Sequence, residues 1–357
     1  MRVSLRPVKF TDAETVLASH EGLTASVFRY PTGVKGLRIS NELGHISVLP
    51  FQGQQIWDAT FAGRLLTMAS IFAGPYPTQD YLSTYGAFFL HCGVLGMGNP
   101  GPSDVHPLNG ELPNAPYDEA SLLVGDDESG PYMALTGNYR YAKAFSHHYL
   151  AHPTVTLHAA SSRVRLDMTI RNLSRKHMDF MYLAHINFRP VDGSVLLDTA
   201  GKGGESVRVI DEDLDAATLA RIRTDPTRHR FIDSGTRYDP ELVLGLELLA
   251  GSDGLAHAMQ LHPSGTADFV SYRPEQFDHA VRWISRSDDR DALGLLLPAT
   301  AEPDGYLAEK AKGNVKSLPA YAEVNFSLEF GALDTHDATG LKDTITELVG
   351  EMTSYGR

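Results

Sequence analysis

The chain has 357 residues, 31 of them basic and 44 acidic, for a formal net charge of −13. That balance repels phosphate backbones and anionic membranes, so nucleic acid and lipid surfaces are not expected partners. The single cysteine, Cys92, excludes an internal disulfide framework and a cysteine-built metal cluster, and it suits a reducing cytoplasm.

In chain order, the first stretch, MRVSLRPVKFTDAET, is interrupted by charges and lacks the apolar core of a signal peptide. No apolar run of about eighteen residues, the length that crosses a bilayer, appears anywhere. The expected location is therefore cytoplasmic, with N-terminal strands in residues 1–30. His91 sits beside Cys92, and HPLNGELPNAPYD at 106–118 places His106, Asn109, Glu111 and Asn114 among prolines and a glycine that forbid a regular helix. His91, His106 and Glu111 are ligand types that zinc or manganese accepts, but nothing in their spacing forces them together. No metal or other cofactor is expected. His147 and His148 are adjacent, so on a strand they face opposite ways.

Residues 162–172, SRVRLDMTIRN, put Val164, Leu166, Met168 and Ile170 on one face and Arg163, Arg165, Asp167 and Thr169 on the other. That period of two predicts a half-buried strand. In DFMYLAHINFRP, 179–190, the residues Met181, Leu183, His185, Asn187 and Arg189 share one face. The other face, Phe180, Tyr182, Ala184, Ile186 and Phe188, is apolar throughout. DEDLDAATLARIR at 211–223, bounded by Pro226, predicts a helix, and 225–240 reads as a long loop. VRWISR, ALGLLL and YAEVNFSLEF return to strand patterns. The last of these, 321–330, has Ala322, Val324, Phe326, Leu328 and Phe330 inward. Leu341, Ile345, Leu348, Val349 and Met352 then recur at helical spacing in a tail over 335–357. Short strands between Gly, Pro, Asn and Asp clusters predict an all-β fold, a large antiparallel β-sandwich with a few peripheral helices. No linker or repeat divides the chain, so residues 1–357 are read as a single domain.

Five stretches together resemble a known family: LPFQGQQIWDATFAGRLLTM (49–68), YGAFFLHCGVLGMG (85–98), HPLNGELPNAPYD (106–118), MYLAHINFRP (181–190) and LGLLLPATAEPDGY (293–306). In this order they are similar to the aldose 1-epimerase-like proteins of the galactose mutarotase superfamily, in a bacterial branch. The resemblance implies a supersandwich with a carbohydrate site on one concave sheet. It implies that His185, on a central strand, is the general acid for the ring oxygen of a sugar. A glutamate near the C-terminus takes the anomeric proton, because opening and reclosing a hemiacetal needs a transfer at each oxygen. The superfamily's Leu-His-Gly triplet, which binds the sugar, aligns with Leu108-Asn109-Gly110, where the amide hydrogen-bonds but carries no charge. The glutamate aligns with Leu297, before Pro298, and leucine accepts no proton. Glu302, in the ATAEPDG loop, is the nearest substitute, and Glu111 is the other candidate.

The expected function is that of a carbohydrate-binding isomerase, aldose 1-epimerase-like, with His185 and Glu302 as its catalytic residues. Its partner is a monosaccharide or sugar derivative, and free strand edges suit a homodimer. Substrate contacts are expected from His91, His106, Asn109, Glu111, Asn187, Arg189 and Arg282, the last toward an acidic or phosphorylated sugar. Asn114 adds hydrogen bonds to the 106–118 wall, and Trp57 and Trp283 are candidate stacking surfaces. Two other readings use the same fold. One is a sugar binder or sensor that has lost the base; the other is a keto-sugar epimerase or lyase, metal-assisted, in which His185 or Glu302 takes a proton beside a carbonyl.

Overall fold

The computed structural model of the chain describes residues 1–208, 216–224 and 227–355. The alternating stretches become strands, as the period of two requires. Arg163–Asn172 and Glu323–Leu333 pair antiparallel, and their registers set Val164 against Phe330, Leu166 against Leu328 and Met168 against Phe326. These cross-strand apolar pairs are all buried, and such pairs hold a sheet together. Ala322 precedes the second strand rather than belonging to it.

Among the described residues the strands form two antiparallel sheets, one of nine strands and one of thirteen. Their inner faces meet through aromatic rings: Tyr182 lies 4.9 Å from Phe326, and Phe89 stacks on Phe330 at 5.5 Å between centroids. Tyr182 and Phe89 come from the larger sheet and the two phenylalanines from the smaller. One continuous cluster of buried side chains runs from Leu5 to Ala332.

The middle of the thirteen-stranded sheet positions the site. Its consecutive neighbours are Tyr238–Leu248, His279–Arg286, Asp291–Ala299, Met178–Ile186 and Phe89–Val94. In Met178–Ile186 the apolar face turns into the sandwich, and the face bearing Leu183 and His185 is covered by loops. Both faces are therefore buried.

Helices lie at Ala216–Thr224, Tyr306–Lys312 and Thr335–Tyr355 among the described residues. The first and third match the two expected helices. Residues 211–215 and Pro226 of the first lie outside the described residues. The second was not anticipated, because seven residues are too few to display a period. The expected loop over 225–240 ends early: a 3-10 turn forms at Arg228–Arg230 and the strand begins at Tyr238. No helix among the described residues is long and apolar enough to cross a membrane.

Candidate functional site

On the outer face of the large sheet, four neighbouring strands send side chains into one cavity of about 280 Å³. Leu183 and His185 come from Met178–Ile186, Leu297 from Asp291–Ala299, Val281 and Trp283 from His279–Arg286, and Glu241 and Val243 from Tyr238–Leu248. Two loops close it. One carries Tyr81 and Tyr85, and the other brings Gly98 and Asn109. Gly98 has φ +71°, and a Cβ there would stand 2.1 Å from the Pro303 carbonyl oxygen. Only glycine allows the two backbones this close, and their contact brings Pro303 to the cavity wall.

His185 is 8% exposed and lies between two aromatic rings, edge to face with Trp283 at 5.5 Å and with Tyr85 at 6.0 Å. Burial lowers its pKa to about 4, against a smaller upward pull from the Asn187 side chain. The ring is therefore neutral at neutral pH. Its Nδ1 is buried with no hydrogen-bond partner, so no protein group fixes the tautomer through that atom. Across the cavity, the indole N–H of Trp283 donates to the Glu241 carboxylate. The Tyr81 and Tyr85 rings lie tilted at 33° with centroids 4.9 Å apart, and burial pushes both hydroxyls well above their ordinary value. They stay protonated, and the Tyr85 hydroxyl donates to the Asn187 side-chain oxygen. The cavity thus combines an aromatic cage and an aliphatic floor with an imidazole, a carboxylate, two phenols and the guanidinium of Arg290. This is the make-up of a small-molecule site, mostly apolar with a few convergent polar groups.

Several residues expected in that site are elsewhere, each for a physical reason. Glu302 does not line the cavity, although Pro303 beside it does. Its carboxylate pairs with Arg208 and with Lys312. Partial burial alone would raise it, but those two cations outweigh burial and hold it below its ordinary value. His91 is wholly buried, with Nδ1 2.8 Å from the Tyr182 hydroxyl, and burial lowers it to about 3. Arg282 is also wholly buried. It donates to the Leu295 carbonyl at 3.0 Å and to Asp198 at 2.8 Å, on the sheet face opposite Trp283. Asn187 and Arg189 lie past the end of the strand and do not line the cavity, although the Asn187 side chain stays beside the His185 ring. Asn187 donates to the Ala87 carbonyl and accepts from the Tyr85 hydroxyl, while Arg189 ties down the Thr67 carbonyl.

The 106–118 stretch divides. Asn109 reaches the cavity wall at φ +59°, with its backbone N–H on the Gly98 carbonyl and its side-chain oxygen accepting from the Gly98 N–H. His106 and Glu111 line a different, larger cavity of about 500 Å³. His106 accepts the Tyr306 N–H at Nε2, and its Nδ1 lies 2.8 Å from the Pro107 carbonyl, which only accepts. Glu111 accepts from the N–H groups of Val94 and Leu95 and from the Tyr149 hydroxyl. Asn114 accepts from Gln52 and Gln55. These groups are committed to holding the loop. In the smaller cavity His185 keeps Nδ1 without a partner and Arg290 pairs with no carboxylate among the described residues, so this cavity is the better site. His91, His106 and Glu111 do not come together at metal-binding distance. Among the described residues the groupings of that kind are His20, Glu21 and Asp126, and Glu302, Asp304 and Glu309.

Sequence reasoning missed Glu241, Arg290, Tyr81 and Tyr85. For Glu241 a signal existed: in ELVLGLEL, 241–248, it alternates with Leu242, Leu244 and Leu246 and shares a face with Val243. The other three arrive from loops and turns, where no period operates.

Two antiparallel sheets of this size packed face to face form a large β-sandwich, the fold also found in galactose mutarotase-like structures. Within that class the chain belongs to the DUF4432 family, described as a domain of unknown function, whose model matches residues 31–332. Among solved structures it is similar to a candidate aldose 1-epimerase from Klebsiella pneumoniae, with a TM-score of 0.82, 16% identity, and 94% of this chain and 92% of that one covered. It is also similar to a galactose mutarotase-like protein from Clostridium acetobutylicum (0.63, 12%, 88% and 100%). A third match is a candidate mutarotase from Salmonella typhimurium (0.58, 9%, 90% and 97%). Identities this low carry the fold alone. No curated protein sequence matches the chain.

Proposed function

We propose that the chain binds a monosaccharide in the His185 cavity and exchanges its anomers, with Glu241 in the role of the missing base. One observation carries this reading: an imidazole and a carboxylate line the same cavity with Trp283 in contact with both, while Leu297 lines it at the position where the family resemblance expects a glutamate. The carboxylate that this chain offers comes from a strand two places away in the sheet.

In the proposed reaction Glu241 takes the proton from the anomeric hydroxyl. The bond from the anomeric carbon to the ring oxygen breaks as the carbonyl forms. Negative charge gathers on the ring oxygen, where neutral His185 donates an N–H, as a neutral imidazole does in other isomerases. The carbonyl then turns its other face, the ring oxygen adds back, and Glu241 returns its proton. Every proton and electron pair is restored, so no cofactor is consumed. A volume of about 280 Å³, at the small end for ligand pockets, suits one sugar ring.

Leu297 also supports a second reading, a binder that has lost catalysis. Exchange between α and β anomers, followed by NMR over a panel of aldoses and ketoses, separates the two. Acceleration by the wild type that is lost in Glu241→Gln and in His185→Ala supports the isomerase. Binding without acceleration leaves the binder.

A further inference from the structure

The nine-stranded sheet carries a cavity of its own, on the side of the molecule away from His185. Across four of its strands Arg165, Glu329, Ser271 and His257 stand in one row of cross-strand neighbours. They share the outer face, because Val164, Phe330 and Val270 beside them fill the buried inner one. With Leu341 of the helix Thr335–Tyr355 they line a cavity of about 430 Å³. His257 is 6% exposed, its Nδ1 lies 2.8 Å from the Ser271 hydroxyl, and its Nε2 is buried with no hydrogen-bond partner. A buried polar atom left unpaired is costly, so one that lines a cavity is a place where a ligand gains affinity.

A cation stands at the same cavity. Arg273 closes the strand that carries Ser271, its Nη1 donates to the Asp253 carbonyl at 3.0 Å, and it makes no ion pair among the described residues. The other two arginines there are already neutralised, Arg163 by Glu329 and Asp337 and Arg165 by Asp167. Phe269, Leu255 and Leu333 join Leu341 as apolar wall. We infer that this cavity binds a small organic monocarboxylate with an apolar body, one carboxylate oxygen on Arg273 and the other accepting from His257 Nε2. A guanidinium fork suits a carboxylate. Burial lowers the pKa of His257, so the ring is neutral at neutral pH, and with Ser271 donating to Nδ1 the one ring proton sits on Nε2. One uncompensated guanidinium balances one negative charge. A phosphate monoester carries nearly two, and the second would meet Glu329 in the same row. The site lies on the other sheet from the sugar cavity and stands or falls without it.

Calorimetry at pH 7.5 and constant ionic strength tests this with hexanoate and benzoate, with hexanamide and benzamide as uncharged bodies of the same shape, and with inorganic phosphate. The His257 ring nitrogens are followed by NMR in the same titrations. Wild type, Arg273→Gln, Arg273→Lys and Arg290→Gln are compared, with circular dichroism confirming that each is folded. The expected result is that one acid binds roughly tenfold or more tighter than its amide. Arg273→Gln brings the acid down to the amide's affinity, lysine recovers part of the difference, and Arg290→Gln changes nothing. The His257 Nε2 signal shifts as the acid saturates. Four results overturn the inference: no saturable binding of either acid, equal affinity for acid and amide, an acid preference that survives Arg273→Gln or is lost in Arg290→Gln, and a His257 signal that stays still. Phosphate binding as tightly as the acids overturns the monocarboxylate assignment.

Discussion

Trp283 holds Glu241 by an indole N–H donated to the carboxylate, and the same ring lies edge to face against His185 at 5.5 Å. One side chain therefore sets the direction of both groups that handle protons in the proposed reaction. Trp283→Phe keeps an aromatic wall and removes the donor. Losing one charge-assisted hydrogen bond predicts a fall in kcat/KM for anomer exchange of roughly ten- to a hundredfold. A variant with unchanged kcat/KM would show that Glu241 needs no such support.

Glu241 and Glu302 make opposite predictions. Glu241→Gln keeps size and hydrogen bonding but accepts no proton, so exchange should drop to the buffer rate. Glu302→Gln should retain it, because that carboxylate is occupied by Arg208 and Lys312 and does not line the cavity. Polarimetry on both variants decides. Loss of exchange in Glu302→Gln alone would restore the loop glutamate as the base.

The contrast between these two glutamates shows what the sequence reveals and what it hides. Alternation of Val164, Leu166, Met168 and Ile170 marks a strand because sheet geometry turns every second residue the same way, and that half of the architecture is visible in the chain. The same rule separates Arg282 from Trp283, yet it does not say which face holds the site. The guanidinium went to the core and the indole to the cavity. His106 and Glu111 look like ligand groups in one dimension. In three, backbone N–H groups of Tyr306, Val94 and Leu95 claim them, since a buried loop must satisfy its own donors first. Glu302 misleads through proximity in sequence to Pro298, whereas Glu241 reaches the cavity across two intervening strand pairings.

The uncharged state of His185 has a kinetic signature. An ordinary histidine titrates near 6.5, inside the working range, but burial lowers this one to about 4. Because kcat/KM reports ionisations of the free enzyme, its profile should show no histidine limb between pH 6 and 8 and should leave its plateau only as the pH approaches 4. A limb centred near 6.5, with the His185 ring signals in NMR titrating over the same range, would mean that the imidazole is solvated in the working enzyme.

Arg282 is expected to be a stability residue and not a specificity residue. Its guanidinium is wholly buried, bonded to Asp198 and close to His229. Arg282→Met strands part of a buried carboxylate, and breaking such pairs costs about 3 kcal/mol or somewhat more. Asp198 keeps Arg230 at 2.9 Å, which favours the lower end. Urea unfolding at pH 7 measures this. Retained stability with altered sugar preference would return Arg282 to the substrate-binding role first expected of it.

Two buried histidines should make the fold acid-sensitive. His91 is lowered to about 3 and His185 to about 4, both by burial, from an ordinary value of 6.5. In the unfolded chain each ring takes a proton near 6.5; in the folded chain neither does until the pH is far lower. Between those values the unfolded state binds more protons, so stability is full above 6.5 and declines as the pH falls, until each folded ring also titrates. At about 1.4 kcal/mol per unit, the full windows are on the order of 3 kcal/mol for His185 and 5 kcal/mol for His91. Urea unfolding at pH 7.5 and pH 5 reads the slope. His45, His152 and His257 are also lowered by burial and add to the slope, but His91→Gln removes its own proton alone, so its loss over that interval should be smaller than the wild type's by about 2 kcal/mol, whatever its absolute stability. The same slope in both proteins would mean that His91 is hydrated or protonated inside the sandwich, and its contact with Tyr182 would then have to be reread as an ion-stabilising one.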